Sequence, residues 1–168
     1  GGPTDNVLDI YKAAAPQIDM LTPDIYMPEY THYTTVLDRY SRPDNALFVS
    51  ETGNRDEYAR YFFSALGEQA IGWSPFGVDF TRYSNWPLGA KVMTPETLED
   101  FALNYRLVAP AARLIAQASF DGKVRGTAEQ PGQAVQTLKI DDRWNMVVTY
   151  GVPQFWFTGE PPGNPQPI

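Results

Sequence analysis

The stretch ALFVSE, residues 46–51, runs an apolar segment up to a carboxylate, and the turn residues Thr52-Gly53-Asn54 follow at once. Short apolar runs that end at turn residues are typical of buried strands in parallel sheets. The pattern therefore predicts a strand over residues 46–51, with Glu51 at its carboxyl end. What this carboxylate does depends on the segments around it.

Two more apolar runs of strand length flank the first, at residues 18–26 and 69–74. Amphipathic helical patterns separate the three runs, and residues 55–66 show the clearest of them, with Gly67 placed as a left-handed stop. Strands that alternate with such helices indicate a parallel sheet. The strands begin at residues 18, 46 and 69, a spacing close to the roughly 31 residues per unit of a (β/α)8 barrel of about 250 residues. A Rossmann-like sheet would alternate in the same way, but no Gly-x-Gly-x-x-Gly motif follows any of these strands.

The chain changes character after the third strand. A loop rich in aromatic residues, Pro and Gly precedes a helix that we expect to end or kink at Pro110. From residue 134 onward the apolar residues alternate, which predicts a small antiparallel β region with a hairpin turn at Asp141-Asp142-Arg143 and a last strand over residues 154–157. We predict two domains: residues 1–120 form the C-terminal part of a barrel, and residues 121–168 begin a β-rich domain with a Pro-rich tail.

Composition narrows the classes of partner. The net charge of −7 comes without any cluster of Lys or Arg, which argues against nucleic acid as a partner. The chain has no cysteine and one histidine, His32, so we expect neither thiolate chemistry nor a metal site, and no motif indicates a cofactor. No apolar run approaches the roughly 18 to 20 residues that span a bilayer, so we predict no membrane partner. Composition leaves the compartment open.

The carboxyl ends of parallel strands meet at one edge of the sheet, where the functional loops of a barrel cluster. We expect this edge to bring Glu51 together with Asp24 and Tyr26 of the preceding strand and Trp73 of the following one. Aromatic faces cover the apolar face of a sugar, and fixed polar groups bind its hydroxyls. These four residues therefore indicate a carbohydrate site, and Trp86 in the following loop is an outlying candidate for it.

Each of these residues also has a purely structural interpretation. Glu51 could be a solvated loop residue, Asp24 could serve a turn, and Tyr26 and Trp73 could pack in the core. Asn54 is a weaker candidate for binding a hydroxyl. The aromatic residues of the β region form either a carbohydrate-binding face or, as we favour, a small core; they are Trp144, Phe155 and Trp156.

Three segments of the chain resemble a known family: DMLTPDIYMPEY (19–30), NALFVSETGN (45–54) and AIGWSPFGVD (70–79). Their succession resembles the sixth, seventh and eighth strands of a retaining glycoside hydrolase of the large (β/α)8 clan, most of all the bacterial β-galactosidase-type members of glycoside hydrolase family 35. The resemblance covers about residues 1–120 and extends less specifically into the β region. It implies that Glu51 is the nucleophile, that Tyr26 hydrogen-bonds it, and that Trp73 floors the sugar subsite before a cis peptide to Ser74.

A retaining glycosidase needs a second carboxylate about 5 to 5.5 Å from the nucleophile. In the resembling clan this acid/base is a Glu after Asn on the fourth strand, and the sequence contains no Asn-Glu dipeptide. We therefore expect a fragment, inactive alone, whose remaining barrel strands come from a parent chain or another chain. The resemblance implies a galactoside or oligosaccharide substrate and favours a periplasmic or extracellular bacterial location.

Two alternatives stay open beside β-galactoside hydrolysis. Another member of the same clan would act on β-glucosides, β-mannosides or xylan through the same retaining chemistry. A non-catalytic carbohydrate-binding module would use the strands only as a scaffold.

Overall fold

The computed structural model describes residues 3–79 and 84–151, and they fall into two compact units that divide between Ala128 and Glu129. The boundary predicted from the sequence, after residue 120, lies before this division, because the residues that follow position 120 still pack on the first unit. Ala128 is buried there, and a side chain at Gly126 would collide with the backbone of Phe63. The elements of the first unit are α1 (Leu8–Ala14), β1 (Asp24–Ile25), α2 (Tyr30–Tyr40), β2 (Phe48–Thr52), α3 (Asp56–Ala59), α4 (Tyr61–Gly67), β3 (Gly72–Pro75), α5 (Glu99–Val108) and α6 (Ala112–Phe120).

The three strands of the first unit form one parallel sheet in the order β1-β2-β3. Asp24 pairs with Glu51 and Ile25 with Thr52, while Trp73 of β3 lies opposite Val49 of β2. This confirms the predicted α/β class and the side-by-side parallel strands. The described residues contain no closed barrel, so the assignment to strands six to eight of a (β/α)8 barrel stays a prediction.

The first strand is much shorter than the predicted run over residues 18–26. Asn45 explains the difference, because its side chain takes the place of a neighbouring strand at Leu21. The amide of Leu21 donates to Asn45 Oδ1 at 2.8 Å, and Asn45 Nδ2 donates back to the carbonyl of Leu21 at 3.0 Å. Pro23 also lacks the N–H group that a ladder would need. Regular pairing therefore starts only at Asp24.

The core lies between the sheet and the helices that connect its strands. Ile25 and Val49 project into it and are fully buried. The ring of Tyr33 stacks on the ring of Tyr61 with 3.8 Å between their centroids. These aromatic residues bury large areas, and their hydroxyls find partners inside the core. The connecting helices are therefore fixed firmly to one face of the sheet.

The helical run predicted for residues 55–66 is divided at Arg60 into α3 and α4. The predicted left-handed stop at Gly67 is wrong: Gly67 is the last residue of α4, and Gln69 has the positive φ, 62°. Gly67 is needed for another reason, since a side chain there would collide with the backbone of Gly126. The predicted interruption at Pro110 is confirmed by a short 3-10 turn, Ala109–Ala111, between α5 and α6.

The second unit contains the antiparallel hairpin β4 (Val135–Lys139) and β5 (Asn145–Thr149). The predicted turn is present, since Asp141 Oδ1 accepts hydrogen bonds from the amides of Arg143 and Trp144 at 2.7 and 2.9 Å. The predicted strand over 154–157, with Phe155 and Trp156, and the Pro-rich tail lie outside the described residues. Within the described ranges no helix has the length and apolar character to cross a membrane.

Candidate active site

The candidate site begins at the carboxyl ends of β1 and β2, where Asp24 and Glu51 are neighbours in register. Successive residues of a strand point to opposite faces of a sheet. The next pair in register, Ile25 and Thr52, is fully buried on the helix side, whereas Asp24 and Glu51 remain partly exposed. The two carboxylates therefore belong to the face that is turned away from the helices.

The strand β2 is irregular at this point, and the irregularity presents two polar residues together. The register with β3 shifts between Val49 and Thr52, and both of those residues are buried. In a regular strand, residues three apart would point to opposite faces. The local irregularity resembles a β-bulge, and it leaves both Ser50 and Glu51 on the face turned away from the helices. Bulges are common next to functional sites.

Tyr26 and Glu51 form the contact that the family resemblance implies. The hydroxyl of Tyr26 donates a hydrogen bond of 3.0 Å to Glu51 Oε2. Burial raises the pKa of Tyr26, and the hydrogen bond to Glu51 and its negative charge raise the same pKa further. The phenol therefore keeps its proton at any pH near neutral and acts only as a donor to the carboxylate.

Ser50 fixes Asp24 beside this pair. Its Oγ lies 2.9 Å from Asp24 Oδ1 and 3.0 Å from Thr22 Oγ1. One hydroxyl proton can serve only one of these acceptors at a time, so Ser50 links the two residues rather than neutralising Asp24. We did not single out Ser50 from the sequence, because its exposure depends on the irregularity in β2, which no residue pattern marked.

Asn54, in the turn after β2, has a structural role. It is fully buried, and both ends of its amide are used: Nδ2 donates to the carbonyl of Phe76 at 2.7 Å, and Oδ1 accepts from the amide of Ala90 at 2.6 Å. Asn54 is therefore a structural residue that joins the strand end to the loop after β3. It is not placed to bind a sugar hydroxyl, as we had considered.

Gly53 is required by the close approach of an aromatic ring. A Cβ atom at this position would lie 2.2 Å from Cε2 of Tyr58. The hydroxyl of Tyr58 donates in turn to the backbone carbonyl of Tyr26 at 2.8 Å. The absence of a side chain at Gly53 thus lets Tyr58 of α3 pack against the turn and hydrogen-bond the backbone of Tyr26.

Trp73 does not lie where a sugar platform would need it, and its predicted place in the site needs correction. Its side chain is 6% exposed, and its Nε1 donates to the hydroxyl of Tyr33 at 2.9 Å on the helix side of the sheet. The ring stacks on Phe101 with 5.9 Å between centroids. Trp73 lies opposite Val49 and so shares its buried face, which sequence spacing alone could not distinguish from the face of Glu51. The predicted cis peptide at Trp73-Ser74 is also wrong, because the cis bond of the described residues is Trp86-Pro87.

The loop after β3 brings a different residue close to the pair. Trp86, the outlying candidate for the site, is 59% exposed. Burial and the contact with Glu51 raise the pKa of Tyr26, and the side-chain amide of the neighbouring Asn85 offsets a part of this rise. Sequence reasoning missed Asn85, since only the anchoring of the loop by Asn54 places it there.

An apolar groove of about 280 Å³ lies on the other side of the sheet. Trp73, Phe62 and Tyr105 line it together with small side chains of α4 to α6, and it contains no carboxylate. It therefore lacks the chemistry of the candidate site. In the described part of the chain no group of three or more His, Asp or Glu side chains could hold a metal ion.

Comparison with known proteins adds one match. A family described as "Domain of unknown function (DUF5597)" matches residues 101–168, which is less than half of the chain. The match includes most of α5, all of α6 and the hairpin, but neither Tyr26 nor Glu51. No curated protein matches the chain. What can be said about function therefore rests on the geometry at the ends of the parallel strands.

Proposed function

We propose that this chain is part of a retaining β-glycosidase of the β-galactosidase type, with Glu51 as the nucleophile. The observation that carries the proposal is the hydrogen bond from Tyr26 to Glu51 Oε2 at the carboxyl end of a parallel sheet. The resemblance of the three strand segments to glycoside hydrolase family 35 assigns the same two residues the same two roles.

In the proposed reaction Tyr26 holds one oxygen of Glu51 and stabilises its ionised form. The other oxygen, Oε1, attacks the anomeric carbon, the bond to the leaving oxygen breaks, and a covalent glycosyl ester forms on Glu51. Water later hydrolyses this ester and releases the sugar. Asp24, held by Ser50 beside Glu51, is the candidate for binding a sugar hydroxyl.

The reaction also needs a carboxylic acid that protonates the leaving oxygen. In the resembling family this residue belongs to a strand that the present sequence does not contain. We therefore propose that the remaining barrel strands of a parent protein supply it, and that this chain by itself does not hydrolyse glycosides. Specificity for β-galactosides is proposed from the family resemblance, with β-glucosides, β-mannosides or xylan as alternatives within the clan.

A second candidate is a carbohydrate-binding module without catalysis. The exposure of large aromatic side chains favours it, since Trp86 is 59% exposed and Trp144 of the hairpin is 65% exposed. Exposed indoles can stack on sugar rings without any carboxylate nearby. If the chain is such a module, replacing Glu51 should not change its affinity for sugars.

A mechanism-based inhibitor separates the two candidates. The full-length protein is treated with a 2-deoxy-2-fluoro β-galactoside that carries a good leaving group, digested, and mapped by mass spectrometry. The enzyme proposal predicts that the peptide containing Glu51 gains the mass of the fluorosugar, and that Glu51→Gln abolishes the gain. A folded full-length protein that binds galactosides but is never labelled would favour the binding module.

A further inference from the structure

A chain of buried hydrogen bonds lies on the helix side of the sheet, behind the candidate site. The indole Nε1 of Trp73 donates to the hydroxyl of Tyr33 at 2.9 Å, and that hydroxyl donates to Thr52 Oγ1 at 2.9 Å. Thr52 Oγ1 donates in turn to the backbone carbonyl of Ile25, also at 2.9 Å. Tyr33, Thr52 and Ile25 are fully buried, and Trp73 is 6% exposed. The chain therefore connects all three parallel strands through the core.

The direction of each bond in this chain is fixed by its two ends. An indole N–H group can only donate, and a backbone carbonyl can only accept. Each hydroxyl between them carries one proton, so Tyr33 accepts from Trp73 and donates to Thr52, and Thr52 donates to Ile25. Burial raises the pKa of Tyr33, so its phenol keeps the proton that it donates. Removing either hydroxyl would leave buried polar atoms with one partner fewer, which is costly.

Side-chain hydroxyls hold the peptide units on both sides of Tyr26. Thr52 binds the carbonyl of Ile25, in the unit before the Cα atom of Tyr26. Tyr58 binds the carbonyl of Tyr26 itself, in the unit after that atom, at 2.8 Å. Each peptide unit is planar, so only φ and ψ of Tyr26 can change the angle between the two units. Holding both units therefore fixes the direction in which the side chain of Tyr26 leaves the backbone.

Thr52 is also placed next to the other member of the pair. It follows Glu51 directly in β2, and it lies opposite Ile25 in the register of the two strands. Its backbone is thus joined to the candidate nucleophile, while its side chain binds the backbone next to Tyr26. One residue therefore links the two strand ends that carry the pair.

We infer that Thr52 is a positioning residue for the proposed reaction, because its hydroxyl holds β1 against β2 where Tyr26 donates to Glu51. Tyr33 and Trp73 support this hydroxyl from the core, and hydrogen bonds in such a chain strengthen one another. The buried indole thereby gains a role in place of the predicted sugar platform. The inference rests on the proposed role of Glu51 and adds a residue that the sequence marked only as part of a turn.

The first test reads the contact between Tyr26 and Glu51 and does not need catalysis. The full-length protein is labelled with 13C at Cζ of tyrosine, Tyr26→Phe identifies the Tyr26 resonance, and Glu51→Gln shows how it shifts when the carboxylate is lost. Thr52→Val, which removes the hydroxyl and keeps a branched side chain, should move the resonance in the same direction. Thr52→Ser keeps the hydroxyl and should leave it in place. A Tyr26 resonance that Thr52→Val does not move would overturn the inference.

A second variant serves if Thr52→Val does not fold. Tyr33→Phe removes the donor to Thr52 and keeps the ring that stacks on Tyr61. It should move the Tyr26 resonance in the same direction by a smaller amount, because Thr52 can still donate to Ile25. No movement in Tyr33→Phe would then overturn the inference.

The second test separates positioning from general stability. Thr52→Val should slow fluorosugar labelling of Glu51 about three- to tenfold, the range expected for one modest hydrogen bond, with little change in sugar affinity because Thr52 is buried. Thr52→Ser should be labelled at close to the wild-type rate, although losing a buried methyl group destabilises it as well. The matched control is Thr34→Val, which removes a hydroxyl that donates to the carbonyl of Tyr30 at 2.9 Å and should leave the rate unchanged.

Equal slowing in Thr52→Ser or Thr34→Val would show that the rate follows stability alone, and this would overturn the inference. If the wild-type protein is never labelled, the proposed function fails. The tyrosine resonances still decide in that case whether Thr52 positions the contact between Tyr26 and Glu51.

Discussion

Tyr58 donates a hydrogen bond of 2.8 Å to the backbone carbonyl of Tyr26, so a helix residue that follows β2 supports the residue that contacts Glu51. The ring of Tyr58 occupies the space that only a glycine at position 53 leaves open. The pair therefore connects the turn after the candidate nucleophile to the side chain that orients it.

Tyr26→Phe removes the hydrogen bond to Glu51 and keeps the ring. A hydrogen bond to a charged group contributes about 1.5 to 3 kcal/mol, so we expect fluorosugar labelling of Glu51 in the full-length protein to slow by roughly 10- to 150-fold. The exposed Tyr11 provides the matched control, and Tyr11→Phe should leave the rate unchanged. Equal rates for Tyr26→Phe and wild type would show that the contact does not serve the reaction.

The raised pKa of Tyr26 leads to a prediction about pH. A group whose folded-state pKa is raised keeps its proton up to a higher pH than in the unfolded chain, so the stabilising donor is present throughout the acidic and neutral range. Below about pH 10, the ordinary pKa of tyrosine, the pH profile of labelling should therefore have the same inflections in Tyr26→Phe as in the wild type. An inflection near neutrality that disappears in Tyr26→Phe would contradict this assignment.

Tyr58→Phe should destabilise the protein and weaken the site through the backbone. The carbonyl of Tyr26 loses its buried partner, at a cost of about 1 to 3 kcal/mol in the free energy of unfolding. Urea denaturation measures this loss. The control is Tyr30→Phe, because Tyr30 is only partly buried and its hydroxyl donates no hydrogen bond within residues 3–79 and 84–151. The same loss of stability in both variants would argue against the specific role of the Tyr58 hydroxyl.

Gly53→Ala tests the close packing of Tyr58 against the turn. The new methyl group would lie 2.2 Å from Cε2 of the ring, and relieving such a clash costs about 1 to 3 kcal/mol. Thermal unfolding should show the loss. Gly122→Ala is the comparison, since that position has open space and a positive φ of 67°, for which we expect about 1 to 2 kcal/mol from backbone strain alone. A melting temperature for Gly53→Ala equal to that of wild type would contradict the packing.

Trp73→Phe distinguishes a core residue from a sugar platform. The replacement removes the hydrogen bond from Nε1 to Tyr33 and leaves a buried hydroxyl with one partner fewer, so the free energy of unfolding should fall by about 1 to 3 kcal/mol. Affinity for galactosides, measured by calorimetry on the folded variant of the full-length protein, should change little. A large loss of sugar affinity with normal stability would restore the platform role.

Much of the fold could be predicted from the sequence because the deciding signals are local. An apolar run that ends at Glu51 and a turn that contains Gly53 predicted β2, and its two parallel neighbours followed from the same alternation of strands and helices. Proline at position 110 predicted the break between α5 and α6. These features depend on residues close together in the chain.

The predictions that failed concern features that are set by contacts between residues far apart in the chain. The face of Trp73 is fixed by its position opposite Val49, and the length of β1 by the side chain of Asn45, 24 residues beyond Leu21. The position of the loop after β3 likewise depends on Asn54, whose Oδ1 accepts from the amide of Ala90, 36 residues further along the chain. Residue spacing does not report such contacts.

Chemical rescue of a Glu51 variant tests the central claim most directly. Glu51→Gly in the full-length protein should lose hydrolysis of an activated aryl β-galactoside, and added azide should restore release of the aryl group. Azide would occupy the space of the missing carboxylate, so the rescued product should be the α-galactosyl azide, of inverted configuration. Hydrolysis that survives in Glu51→Gly, or rescue that yields only the β-azide, would contradict the assignment of Glu51 as nucleophile.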